Sequence, residues 1–179
     1  MNDPRPLVGE PLSLDLVNTE WFAAGRHHDL LADPTSVAEW LAGLGLDSHV
    51  SSGTAAAITD RLSKTRAAIR AALHDPADPT AHRALNGILE HGWRVLSLDV
   101  DGPRELVQVA DETWRIPWLA AADLLELLRA APERIRPCAH QDCILYFFDQ
   151  SKQGQRRWCS MRTCGNRLKS RRHYRRTRS

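Results

Sequence analysis

The chain has 179 residues, 42% of them hydrophobic, with six tryptophans and a formal net charge of +2. That leaves room for one ordinary core and a small appended module, and no apolar run approaches the roughly eighteen residues of a membrane span, so the composition excludes a membrane-spanning helix and predicts a soluble protein. The small net charge conceals an asymmetry: eleven of the 24 Lys and Arg residues fall in 151–179, which holds no Asp or Glu, so that segment carries +11 while residues 1–150 carry −9. An acidic body with a basic tip suits a polyanionic partner.

The first residues, Met-Asn-Asp-Pro-Arg-Pro-Leu-Val-Gly-Glu, lack the basic-then-apolar pattern of a secretory signal, which predicts a chain that stays in the reducing cytoplasm. Leu12-Ser-Leu-Asp-Leu-Val-Asn-Thr19 alternates weakly and fits either a short strand or a first helix. Asp33-Pro34 is a helix start, followed by Val37, Trp40, Leu41 and Leu44 at helical spacing, with Gly43 and Gly45 near its end. A longer helix spans roughly 53–74, with Ile58, Leu62, Ile69 and Leu73 on one stripe and Arg61, Lys64, Arg66 and Arg70 largely off it. Asp78-Pro79 repeats the start signal for a helix through Leu85, Ile88 and Leu89, ended near Gly92. The period then changes to two: Val95, Leu96, Leu98 and Val100, then Asp101-Gly102-Pro103, then Leu106, Val107 and Val109 predict a β-hairpin. Pro117 to Ala130, with leucines at 119, 124, 125, 127 and 128, predicts a buried helix.

Beyond Pro132 and Pro137 the cysteines begin. Cys138-x4-Cys143 and Cys159-x4-Cys164 are two close pairs that an intervening hairpin can bring together, which is what a tetrahedral zinc ion requires. Disulfides are the alternative, and a reducing compartment disfavours them. Four thiolates fill a tetrahedral ion and leave no position for water, so one structural Zn2+ is expected rather than a catalytic one. His140 is the one competing ligand, and with four thiolates in place it is expected to be exposed. Ile144–Asp149 predicts a strand, Ser151–Gly154 a turn, Arg156–Cys159 a second strand, and a helix is expected from about Cys164 through Leu168 to Tyr174. That order is treble-clef-like. The expected fold class is therefore a mainly α N-terminal domain over 1–132 with one small β-hairpin, plus a treble-clef-like four-cysteine zinc finger over 133–179 that needs its metal to fold.

Within the finger, Gly165 lets backbone N–H groups turn toward the sulfurs, Asn166 caps or cross-links the second knuckle, and Phe147 and Trp158 pack the module rather than stack on bases. On a continuing helix Arg167, Arg171, Arg175 and Arg178 form one stripe and Lys169, Arg172 and Arg176 a second. The candidate DNA contacts are Arg156, Arg157, Arg162, Arg167, Lys169, Arg171, Arg172, Arg175 and Arg176, tracking phosphates or reaching guanine edges in a major groove. RNA or ribosome binding is the alternative, since a small zinc module with an arginine-rich helix serves RNA as well, and a merely solvated basic tail is the plainest one.

Cys164-Gly165-Asn166-Arg167, preceded by Arg156-Arg-Trp-Cys-Ser-Met161 and by Tyr146-Phe-Phe-Asp149, resembles the CGNR zinc-finger family. Leu14-Asp15-Leu-Val-Asn18-Thr19, Asp29-Leu-Leu and Trp40-Leu41 resemble the ABATE domain that usually precedes that finger. The resemblance implies a bacterial transcription regulator that responds to stress, with a mainly helical N-terminal region that senses a ligand. Asp15, Asn18, Trp21 and Arg26 are the candidate effector site, with Trp21 as a wall and Arg26 meeting an anion; equally, Asp15 and Asn18 fit backbone hydrogen bonding near a helix end. Histidines at 27, 28, 49, 74, 82 and 91 form no His-Glu-x-x-His, and neither a phosphate-cradling loop nor a nucleophile elbow is present, so no enzyme is expected. A homodimer would double half-site affinity, but no interface is legible in the sequence.

Overall fold

Residues 3–46 and 55–166 are described by the computed structural model. Of the two readings open for 12–19, the helical one holds: α1 (Leu12–Val17) is buried from Ser13 to Val17. So short a helix does not hold itself together in water. Its first turn is served by α5 (Arg115–Ala130), where Asp123 Oδ2 accepts from the Ser13 N–H at 2.9 Å and from its hydroxyl at 2.5 Å.

α2 (Pro34–Gly43) and α4 (Pro79–Leu89) begin at the Asp-Pro signals. Asp33 accepts from the Ser36 N–H at 2.9 Å and Asp78 from the Thr80 N–H at 2.8 Å, while proline occupies the first helical position, where a missing N–H costs nothing. α3 (Ala55–His74) and α5 pack on α1 and on each other. They bury Ile58, Leu62 and Ile69 from one and Ile116, Ala120, Ala121 and Leu124 from the other. Arg66 also goes inside, because Asp29 takes its two terminal nitrogens at 2.6 and 2.8 Å and the Thr19 hydroxyl adds a contact at 3.0 Å.

Between α1 and α2 lies a hairpin that the sequence pattern did not announce: β1 (Glu20–Ala23) pairs antiparallel with β2 (Arg26–Asp29). Its turn uses Ala24 and Gly25 at φ of 50° and 76°. An alanine in left-handed backbone and a His-His-Asp strand without alternation hide it from pattern reading.

β3 (Gly92–Asp99) and β4 (Gly102–Val109) form the expected hairpin. At its root Gly92 is obligatory, since a Cβ there would lie 2.9 Å from both the Gln108 carbonyl oxygen and the Trp118 ring. Trp118 donates its indole N–H to the Leu89 carbonyl at 3.0 Å and Arg115 donates to the Val107 carbonyl at 2.8 Å, which ties the root to α5.

The C-terminal ribbon differs from the expected one. The β-prone run forms β6 (Tyr146–Phe148), but its partner is β5 (Ile135–Pro137), with Ile135 opposite Phe148 and Pro137 opposite Tyr146. Arg156–Cys159 is not a strand because its backbone is committed elsewhere. The Arg156 N–H goes to Asp149 Oδ2 at 2.9 Å, the Arg157 carbonyl accepts from Ala139 at 2.8 Å, and the Cys159 N–H points at Cys138 Sγ at 3.4 Å. A single π-helical turn, Met161–Gly165, follows. The helix expected to run on to Tyr174, on which a treble clef depends, lies outside the described residues beyond Asn166.

One continuous hydrophobic cluster runs from α1, α3 and α5 into Leu145, Tyr146 and Phe147 and on to Cys138, Cys159 and Cys164. Among the described residues no helix is long and apolar enough to cross a membrane.

Candidate metal centre

Each cysteine is placed by a different short device. Cys138 directly follows β5, and its N–H donates to the Leu145 carbonyl at 2.8 Å. Cys143 closes a tight turn, donating to the His140 carbonyl at 2.9 Å. Cys159 follows the irregular Arg156–Trp158 stretch, and Cys164 rides on the π turn, whose start is capped by the Ser160 hydroxyl accepting from the Thr163 N–H at 3.4 Å. The Ala139-to-Arg157 hydrogen bond at 2.8 Å sets the two knuckles against each other.

The four Sγ atoms lie within 4.8 Å of one another. Cys143 to Cys159 is 3.8 Å and Cys159 to Cys164 is 3.6 Å. A tetrahedron of sulfurs around an ion with metal–sulfur bonds of about 2.3 Å has edges of about 3.8 Å, so the donor set fits a tetrahedral metal. It does not fit a disulfide, whose sulfurs approach to about 2.05 Å, and all four cysteines are free.

Electrostatics make the same demand for a cation. Hydrogen bonds from Cys143 and Cys159 push the Cys138 thiol down to about 2. The same contact with Cys138 pushes Cys143 up to about 12, and Cys159 is driven up by its bonds to Cys138 and Cys143. Cys164 is raised, first by burial and then by the Cys138 charge. One thiolate is tolerated and the next ones are repelled, so only a cation among them lets all four ionise.

His140 is buried, not exposed as expected: its Nδ1 accepts from the Asp142 N–H at 3.3 Å, so it shapes the first knuckle. Nor does the Gly165 N–H turn toward sulfur; it donates to the Ser160 carbonyl at 3.1 Å, as does Cys164 at 3.0 Å. Asn166 closes the turn through its backbone N–H to Met161 O. Phe147 is fully buried, in the packing role expected for it.

The finger is seated on the helical body by side chains. Asn18 donates its amide to the Tyr146 carbonyl at 2.8 Å and accepts the Tyr146 N–H at 3.0 Å, behaving as a strand partner would. Glu10 accepts the Phe148 N–H at 2.8 Å, and burial raises its carboxyl above the ordinary range despite that bond and the nearby Arg156. Arg70 bridges the Ile144 and Val17 carbonyls at 2.9 and 2.8 Å. Asn18 stood out in the sequence as a polar residue in an apolar segment; Glu10 and Arg70 carried no such signal.

Of the candidate nucleic-acid contacts, Arg156 is turned inward. Its guanidinium lies 4.3 Å from the Phe147 ring centroid, reaches Glu10 at 3.4 Å, and donates to the Trp158 and Cys159 carbonyls. Arg157 and Arg162 are exposed, with the Arg157 guanidinium 5.3 Å from the Trp158 ring. Arg167, Lys169, Arg171, Arg172, Arg175 and Arg176 lie outside the described residues.

The four candidate effector residues do not converge. Asp15 and Trp21 line a cavity of about 520 Å³ between the N-terminal segment, β1–β2 and α2. Asp15 is buried there, accepting from Arg5 at 2.6 Å, Trp40 at 2.8 Å and the Gly9 N–H at 3.2 Å. Trp21 stacks on His28 with centroids 5.1 Å apart. Asn18 faces the finger, Arg26 is exposed on β2, and His27 pairs with Glu20 at 2.8 Å.

Fold and site together define a helical body that carries a four-cysteine, metal-binding module at its C-terminal end. Residues 10–131 match the ABATE family model, described as "Putative stress-induced transcription regulator", and residues 134–177 match the CGNR zinc finger. The chain belongs to the ABATE family and carries a CGNR zinc finger at its C-terminal end. No curated protein matches it.

Proposed function

We propose that this chain is a DNA-binding transcription regulator whose finger is held by one structural zinc ion and whose N-terminal domain binds a small effector. The observation that carries the reading is the sulfur tetrahedron set directly before an arginine-rich, acid-free segment. Zinc is the ion that four soft thiolates in tetrahedral array favour, and here it supplies a cross-link only. Arg157 and Arg162 are exposed beside that clasp, and Arg167, Lys169, Arg171, Arg172, Arg175 and Arg176 add further positive charge in the sequence that follows, the charge a phosphate backbone attracts. Arg156 serves the seat of the finger instead.

The test is a selection of zinc-loaded protein on random duplex DNA with single-stranded RNA as competitor at near-physiological salt. An enriched duplex motif that resists the RNA supports the reading; binding lost to RNA replaces it with an RNA-binding function.

The cavity is the effector site of this reading, and its volume of about 520 Å³ is that of a small-ligand pocket. Its one arginine is already engaged: Arg5 gives Nε and Nη2 to Asp3 and both Nη1 hydrogens to Asp15. Glu39 has no ion-pair partner among the described residues, and Trp21, Trp40 and His28 supply aromatic walls. Such a lining favours an apolar body bearing a positive charge over the anion expected from Arg26. By calorimetry phenethylamine should bind more tightly than phenylacetate, and Glu39→Gln should remove the difference. The reverse order would reject the cation, and no binding of either would reject the cavity.

A further inference from the structure

The most exposed sulfur-bearing side chain at the clasp is not a cysteine. Among the described residues Cys138, Cys159 and Cys164 are 7%, 1% and 5% exposed and Cys143 is partly buried, whereas Met161 is 49% exposed. Met161 opens the π turn that carries Cys164, and its side chain lies back over the far end of that turn. A Cβ on Gly165 would sit 2.6 Å from the Met161 Sδ and 2.9 Å from its Cε, so the thioether crowds the place where any other residue would carry its side chain. Gly165 and Cys164 are both buried. An apolar cover of this kind controls how far solvent reaches a metal site.

We propose that Met161 is an oxidation site, and that its conversion to the sulfoxide by a peroxide uncovers the Cys164 end of the clasp. The step is a two-electron oxygen transfer: a lone pair of Sδ attacks one peroxide oxygen, the O–O bond breaks, that oxygen stays on sulfur, and the other leaves with both protons as water. The thioether is oxidised and the peroxide reduced. The product is polar where the reactant was apolar, and the stretch it covers has no N–H to offer it. Cys164 and Gly165 give theirs to the Ser160 carbonyl at 3.0 and 3.1 Å, Thr163 to the Ser160 hydroxyl at 3.4 Å, and Asn166 to the carbonyl of Met161 itself. The Thr163 hydroxyl has no partner, but it stands two residues on, about half a turn round from Met161. A buried acceptor without a donor is unfavourable, so the sulfoxide oxygen turns to water and the side chain lifts off Gly165. Cys164 is then open to solvent and to competing ligands. This inference rests on a metal held by the four thiols and not on what the finger binds.

The experiment treats the metal-loaded full chain with dilute hydrogen peroxide, locates the added oxygen by peptide mass spectrometry, and follows transfer of the metal to a chromogenic chelator, for the wild type and for Met161→Leu. A chain that takes up no metal would overturn the clasp itself, a result visible before any peroxide is added. The only other methionine is Met1, so the assignment is simple. The wild type should gain one oxygen at Met161 ahead of any cysteine and then release its metal about tenfold faster. Met161→Leu, of similar volume and without a thioether, should keep the slow rate. Cysteines that oxidise first overturn the proposal, as do an oxidised Met161 with an unchanged release rate and a leucine variant that loses metal as fast as the oxidised wild type. Should Met161→Leu fail to hold the finger together, methionine sulfoxide reductase acting on the oxidised wild type takes its place: the slow rate should return, and a rate that stays fast would overturn the proposal.

Discussion

Two antiparallel ribbons of this protein have opposite fates. β5–β6 has three residues per strand and is sealed against α1, with Phe147 fully buried. β3–β4 has eight residues per strand and stands mostly in solvent. Length alone would have ranked them the other way. What differs is the neighbourhood: Asn18, Glu10 and Arg70 answer the free backbone groups of the Ile144–Phe148 run, whereas α5 reaches β3–β4 near its root, where Arg115 takes the Val107 carbonyl and Trp118 the Leu89 carbonyl just before β3. A strand can be buried only where its edge hydrogen bonds are replaced.

The comparison breaks hardest at the metal. Cys159→Ser, or chelation, should unfold the finger, since structural zinc contributes on the order of 10 kcal/mol in small fingers. Hydrogen exchange should then accelerate throughout 138–164 and also in α1, which shares the core with Phe147, while β3–β4 stays unchanged. Unaltered protection in α1 would show that the two parts are energetically independent. Next in size, Asn18→Ala strands the buried N–H and C=O of Tyr146 and should cost about 3 kcal/mol in denaturant unfolding; a loss well under 1 kcal/mol would detach the finger from α1.

At the other ribbon, Gly92→Ala forces a methyl against the Gln108 carbonyl and the Trp118 ring, for a cost of about 1–3 kcal/mol. Its effect should appear as exchange in β3–β4 with the finger undisturbed. The smallest effect is electrostatic. Hydrogen bonds from Arg66 hold Asp29 below its ordinary value of 3.8, outweighing burial. A carboxyl with a depressed folded value stabilises above its unfolded value and loses that contribution as pH falls through the folded one. Stability of the wild type should therefore drop more steeply below about pH 4 than that of Asp29→Asn.

The helices were readable because local signals decide them: Asp33-Pro34 and Asp78-Pro79 cap as their residue types require. The cysteine quartet was readable from spacing, since short pairs have few ways to arrange four sulfurs. Strand pairing was less so. Ile144–Asp149 looked like half of a hairpin with Arg156–Cys159, but pairing depends on which backbone groups are free, and Asp149 and the first knuckle had claimed those of 156–159. Asn18 was noticed as polar in an apolar setting and assigned to a pocket or to backbone bonding; its real partner lies 128 residues away, a distance no local pattern reports.

That separation orders the assembly in time. Glu10, Asn18 and Arg70 leave the ribosome long before Tyr146 and Phe148 do, with 128 and 138 residues spanned by the Asn18 and Glu10 contacts. Contacts of such reach close late, after local helices have formed. The seat is thus complete before its occupant exists, and until then the Asn18 amide waits unanswered in an apolar wall. A chain stalled short of residue 146 leaves the Asn18 amide without its partner, and the strand that answers it arrives with the cysteines on either side.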